Sequence, residues 1–122
     1  MGKHVLLIED EPNIIEAIRF ILERDGWTVS THSDGADAVD IVSRAGPDIV
    51  ILDVMLPNRS GYDILRDLRA AEDTAALPVL LLTAKGQSRD RDMAETYGAS
   101  RFMTKPFSNQ EVLDSVRDLV AS

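Results

Sequence analysis

The sequence predicts an α/β fold: a doubly wound, five-stranded parallel sheet with five helices on its two faces. Three observations carry that prediction. Short apolar runs alternate with apolar stripes at helical spacing, five times along the chain. Runs such as Ile49-Val50-Ile51-Leu52 have no polar alternation, which fits strands covered on both faces. Glycine and proline fall at the ends of the helical stretches rather than inside them.

The first strand is expected at residues 5–8. Pro12 suits the first turn of the helix that follows, whose stripe is Ile14, Ile18, Ile21 and Leu22, with Gly26 just beyond it. The second strand is expected at 27–31. Ala38, Ile41, Val42 and Ala45 form the next stripe, stopped by Gly46-Pro47. The third strand spans 49–52, and Ile64, Leu65 and Leu68 mark a third helix that Ser60 caps, with Asp63 three residues on. The fourth strand is expected at 79–82. A short fourth helix carries Met93, Ala94 and Tyr97 and ends at Gly98; Tyr62 and Tyr97 read as helix packing. The fifth strand is expected at 101–104. The last helix carries Val112, Leu113, Val116, Leu119 and Val120 behind a Ser108/Glu111 capping box.

A chain of 122 residues is expected to form one domain, 1–122, burying roughly two thirds of its unfolded surface. Thirteen basic against 21 acidic side chains give a net charge of −8, which argues against direct nucleic-acid binding, since phosphate contacts need clustered cations. The lack of cysteine excludes disulfides and thiolate metal sites and suits a reducing compartment. No apolar run approaches a signal-peptide core or a membrane span, so the expected location is cytoplasmic, with no membrane contact.

Right-handed crossovers leave few wirings for such a chain. In the flavodoxin-like order 2-1-3-4-5 the switch point lies between strands one and three, beyond their carboxyl ends, where ligands bind. Glu9-Asp10 and Asp53 are the residues leaving those two strands; Thr83 leaves the fourth and Lys105-Pro106 the fifth. Two carboxylates about 4 Å apart repel by roughly 4 kcal/mol at an effective dielectric near 20. Three together call for a cation, and oxygen ligands open to water suit Mg2+ better than zinc. Asp53 is then placed to act as a nucleophile that forms an aspartyl-phosphate.

Taken singly, each residue has a structural reading. Asp10-Glu11 before Pro12 reads as a helix cap, Asp53 as a solvated strand end, Lys105 as a surface lysine, Thr83 as a β-branched strand end and Phe102 as core. His4 and His32 share no ligand spacing and are given no role. The convergence of polar residues on one sheet end favours the functional reading.

Taken together, Glu9-Asp10, Asp53 with Pro57, Gly61, Thr83-Ala84 and Lys105-Pro106-Phe107 resemble the receiver domain of bacterial two-component response regulators, from Val5 to Val120. The resemblance implies that Asp53 accepts a phosphoryl group from a sensor histidine kinase or histidine phosphotransfer protein. It implies Asp10 and Asp53 as Mg2+ ligands, Glu9 acting through water, and the Met55 carbonyl completing the shell. Lys105 would pair with the phosphoryl oxygens, across a cis Lys105-Pro106 bond. Thr83 and the Ala84 amide would bind the phosphoryl group, and Phe102 would be the switch aromatic. The output would be a changed face of helix four, strand five and helix five, read by an effector protein or domain, in a monomer or a phosphorylation-dependent dimer. Such a domain is no enzyme in the ordinary sense, though it assists its own phosphorylation and dephosphorylation.

Two departures qualify the resemblance. Met55 is apolar where many members are polar, and Lys85 occupies the other position that commonly tunes dephosphorylation, so slow self-dephosphorylation is expected. Ser100-Arg101 stand where many DNA-binding relatives carry acids of a dimer face. Three rivals remain: a non-phosphorylated receiver-like interaction module, an aspartate-nucleophile phosphatase, and a flavin or nucleotide binder. A phosphatase would usually place a second Asp two after the nucleophile, where Met55 stands. A nucleotide binder would want a loop rich in Gly, Ser or Thr after strand one, where Glu9-Asp10-Glu11 stands.

Overall fold

A computed structural model describes residues 3–84 and 88–121. The elements run β1 (His4–Ile8), α1 (Pro12–Arg24), β2 (Thr28–His32), α2 (Ala38–Ala45), β3 (Ile49–Asp53), α3 (Gly61–Ala70), β4 (Val79–Thr83), α4 (Ser88–Tyr97), β5 (Arg101–Thr104) and α5 (Asn109–Ala121). All four strand pairings are parallel and the sheet order is β2-β1-β3-β4-β5, as the alternation of runs and stripes predicts.

Alternation along each strand divides the core in two. Val5, Leu7, Ile49, Ile51, Leu80 and Leu82 face α1 and α5, where they meet Ile18, Leu22, Val112 and Val116. Leu6, Ile8, Val50, Leu52, Val79 and Leu81 face α2, α3 and α4, against Val42, Ile64, Leu65 and Leu68. The three inner strands are therefore apolar throughout residues 5–8, 49–52 and 79–82, and each such leucine or isoleucine contributes roughly 1.5–3 kcal/mol by burial. The edge strands β2 and β5 alternate instead, burying Val29 and Met103 between more exposed neighbours.

Local chemistry fixes the ends. Pro12 opens α1, and Gly46 closes α2 in the left-handed region at φ 56°. The Ser60 hydroxyl accepts from the Tyr62 amide, and Ser108 and Glu111 form the reciprocal capping box, with bonds of 3.0 and 3.1 Å. The Tyr62 and Tyr97 rings pack 5.8 Å apart between α3 and α4.

One strand starts later than its composition suggests. Trp27 belongs to the turn out of α1: its amide donates to the Leu22 carbonyl and its indole to Asp25, so β2 begins at Thr28, paired with His4. Asp53 and Thr83 are included in their strands, which carries the polar side chains to the very rim of the sheet.

Candidate functional site

β1 and β3 are neighbours, paired from Val5 with Ile49 to Ile8 with Leu52, so the residues after Ile8 and Leu52 emerge side by side. Glu9, Asp10 and Asp53 each bring a carboxylate oxygen within 4.8 Å of the others. At that separation each pair repels by about 3–4 kcal/mol at an effective dielectric near 20. Glu9 and Asp53 are buried, with 0% and 1% exposure, while Asp10 is exposed.

The Lys105 ammonium closes the cluster from the far side. β5 pairs with β4, and the Lys105 amide donates to the Thr83 carbonyl at 2.8 Å, which carries the side chain back over the sheet end. Its Nζ lies 3.2 Å from Asp53 Oδ1 and 3.3 Å from both Glu9 Oε1 and Glu11 Oε1. The Lys105-Pro106 bond is cis.

Charge here is strongly biased. Burial pushes the Glu9 carboxyl up to about 7; hydrogen bonding from the Glu11 amide opposes this, and the neighbouring Asp53 adds to it. Burial alone would lower the Lys105 pKa. The charges of Asp53, Glu9 and Glu11 outweigh that, and the ammonium titrates above the ordinary lysine range. Among the described residues, one cation thus serves three carboxylates, with Asp10 beside them.

The donor set fits a hard dication. Asp53 Oδ2 is buried and accepts no hydrogen bond among the described residues. Glu9 Oε1 is buried as well, near the ammonium but outside hydrogen-bonding geometry. Fully buried acceptors without donors are costly. A magnesium-sized ion with oxygen ligands and retained water suits them, whereas zinc would favour imidazole or thiolate.

The other expected residues that the structure describes belong to β4, β5 or the turns after β3 and β4. The Met55 amide donates to Asp53 Oδ1 at 3.3 Å, while its side chain is 70% exposed at the mouth of the site. Thr83 is buried, and its hydroxyl donates to the Met103 carbonyl at 3.3 Å, toward β5 rather than Asp53. Ala84 follows it and is exposed. Phe102 is half-buried against the core cluster that faces α2, α3 and α4, with the Arg91 guanidinium 5.8 Å from its ring centre. Lys85 lies outside the described residues.

Three sets of contacts are not evident from sequence. Glu11, at the N-cap of α1, makes no side-chain cap bond and reaches Lys105 instead. The signal for it was a glutamate where a shorter Asp, Asn or Ser is preferred. Arg69 donates to the carbonyls of Gly98, Thr74, Ala75 and Leu77 and to the Ser100 hydroxyl, bracing the loops either side of β4. Asp34 accepts from the Asn58 side chain at 2.9 Å, and the Gly35 amide donates to the Pro57 carbonyl at 3.1 Å, tying the loop after β2 to the loop after β3.

The family model of the response regulator receiver domain matches residues 5–117. The chain is 44% identical over 116 residues to a Mycobacterium tuberculosis protein named probable transcriptional regulatory protein TcrX; the match covers 95% of this chain and 49% of that protein, so the chain spans about half the length of this curated relative. Among solved structures, the receiver domain of a sensor histidine kinase from Pseudomonas aeruginosa, with a magnesium ion coordinated in its active-site cleft, superposes with a TM-score of 0.91 at 30% identity, over 100% of both chains. The BeF3-activated N-terminal receiver domain of RstA from Klebsiella pneumoniae gives a TM-score of 0.89 at 27% identity, over 98% of this chain and 100% of that one.

Proposed function

The chain belongs to the response regulator receiver-domain family, and on that premise we propose that it is a phosphorylation-driven switch with Asp53 as the acceptor. The observation that carries the reading is the meeting of Glu9, Asp10 and Asp53 within 4.8 Å, with the Lys105 ammonium 3.2 Å from Asp53. A phosphatase reading lacks its second acid, because the residue two after Asp53 is the exposed Met55.

The donor is a phosphohistidine on a sensor kinase or phosphotransfer protein. An Asp53 oxygen forms the new bond to phosphorus as the donor's P–N bond breaks, and the imidazole leaves and takes up a proton. Asp10, Asp53 and the Met55 carbonyl would hold magnesium, with Glu9 acting through water. The ion supplies a dication that offsets the clustered acids and neutralises charge on the arriving group. Lys105 balances charge on the other side, and the Ala84 amide and Thr83 hydroxyl bind the transferred oxygens.

Readout follows from Thr83. Drawing its hydroxyl to the phosphoryl group removes the bond to the Met103 carbonyl in β5. Phe102 is next to Met103 and only half-buried, so it has room to repack. Among the described residues of α4 only Ala94 is fully buried, which makes that helix a low-stability element able to shift. The changed face of α4, β5 and α5 is what an effector protein or domain reads. The reading implies a cytoplasmic location and a domain that does not itself bind nucleic acid.

Incubating the chain with each autophosphorylated histidine kinase of its source organism tests the donor. Rapid transfer of radiolabelled phosphoryl from one kinase, lost in Asp53→Asn, is expected. Transfer that survives in Asp53→Asn, or transfer from none of the kinases, counts against the reading.

A further inference from the structure

Glu11 sits at the N-cap of α1 with φ −84° and ψ 114°, and its carbonyl accepts from the Ile14 and Ile15 amides. Short side chains are preferred at such positions because they fold back onto the next amides. The Glu11 side chain does not. It crosses to the other end of the chain and accepts from Lys105 Nζ at 3.3 Å.

The Lys105 ammonium is therefore flanked by three carboxylates at 3.2–3.3 Å, and the hydrogen bond it donates among them goes to Glu11. The three differ in freedom. The side chains of Glu9 and Asp53 are 0% and 2% exposed, whereas that of Glu11 is 59% exposed. When a phosphoryl group on Asp53 offers Lys105 new oxygens, one old contact has to yield, and the solvent-facing one yields at least cost. A half-exposed pair of this kind is worth little, so it biases the ammonium without locking it.

We propose that Glu11 is a positioning residue that tethers Lys105 in the unphosphorylated state and releases it on phosphoryl transfer. The inference rests on the receiver reading above. A contact made in one state and lost in the other favours the first, so Glu11 slows the loading of Asp53. It also sets the loading rate apart from the acid cluster itself, because Glu11 can be changed without altering Glu9, Asp10 or Asp53.

The test uses the full chain, acetyl phosphate and saturating magnesium, following the mass of the protein with time. The Asp53 oxygen–phosphorus bond forms as the acetyl phosphate P–O bond breaks, and acetate leaves. Glu11→Gln removes the charge at the same length; Glu11→Asp keeps the charge but shortens the reach by one methylene. Both are expected to load about two- to fivefold faster than wild type. In a Lys105→Gln background, Glu11→Gln is expected to add nothing, a result that a merely structural role for Glu11 would not give. Acceleration by Gln with Asp at the wild-type rate would mean that charge alone acts, and would overturn the tether. So would slower loading in either variant, or the same gain in the Lys105→Gln background. Wild type that loads at Asp53 while both Glu11 variants match it sinks the tether only; wild type that takes up no phosphoryl group sinks the receiver reading with it.

Discussion

Gly61 lies against the backbone of Asp53 so closely that no side chain fits between them. A Cβ at Gly61 would stand 2.9 Å from the Asp53 carbonyl carbon and 2.8 Å from Val54 Cα, and closer still to the Asp53 carbonyl oxygen. The Gly61 amide donates to the Val54 carbonyl at 2.9 Å. The start of α3 is thereby seated directly on the strand end that presents the Asp53 carboxylate, the proposed acceptor. Gly61→Ala forces backbone apart at a fixed point and is expected to cost about 3 kcal/mol or more, visible as a lower urea midpoint. A variant as stable as wild type would show that the contact is not a constraint.

Arg69 holds the other side of the molecule. Its Nε donates to the Gly98 carbonyl at 2.8 Å and its Nη1 to the Leu77 carbonyl at 2.7 Å. Arg69→Met leaves both carbonyls without this donor and is expected to lower stability by about 2–3 kcal/mol. Arg69→Lys is expected to recover only part of that, because an ammonium cannot reproduce the planar fork. Chemical denaturation of the three proteins checks both statements, and full recovery by lysine would contradict the second.

Glu9 gives the fold a pH dependence in the absence of metal. Its carboxyl titrates near 4.5 when solvated but is pushed up to about 7 in the fold, chiefly by burial. Between those values the folded chain holds a proton that the unfolded chain has lost. The stability contributed by protonated Glu9 is therefore complete below 4.5 and is lost as pH rises through 7. In chelator, the urea midpoint is expected to fall between pH 5 and 8, and less so in Glu9→Gln. A carbon-detected titration that puts the Glu9 midpoint below 5 would contradict this.

Met55 faces solvent two residues after Asp53, the proposed acceptor, and offers no polar atom from its side chain to hold an attacking water, apart from a weakly accepting thioether. Met55→Asn is expected to shorten the life of the phosphorylated protein several-fold. Decay followed by mass after removal of the donor is the check, and an unchanged or slower decay in the mutant counts against it.

The fold was legible because its signals are local. Five apolar runs, five stripes and the glycines between them define the alternation, and Ser60, Ser108 and Gly46 cap where their chemistry says. The acids of the site were legible for a related reason: Glu9 and Asp10 follow a strand and Asp53 ends one, and parallel order brings strand ends together. What stayed hidden is set by long side chains reaching across the fold. Nothing near Glu11 in sequence points to Lys105, and nothing near Arg69 points to Gly98 or Ser100. The direction of the Thr83 hydroxyl is likewise a rotamer choice, fixed by the Met103 carbonyl on a neighbouring strand. Composition places Trp27 in β2, but a hydrogen bond back to Leu22 keeps it in the turn.

The most direct measurement is the intact mass of the chain after incubation with acetyl phosphate and magnesium. One added phosphoryl group is predicted in wild type, absent from Asp53→Asn and absent when magnesium is chelated. A wild-type mass that does not change, or a phosphoryl group that persists in Asp53→Asn, would contradict the assignment of Asp53 as the acceptor.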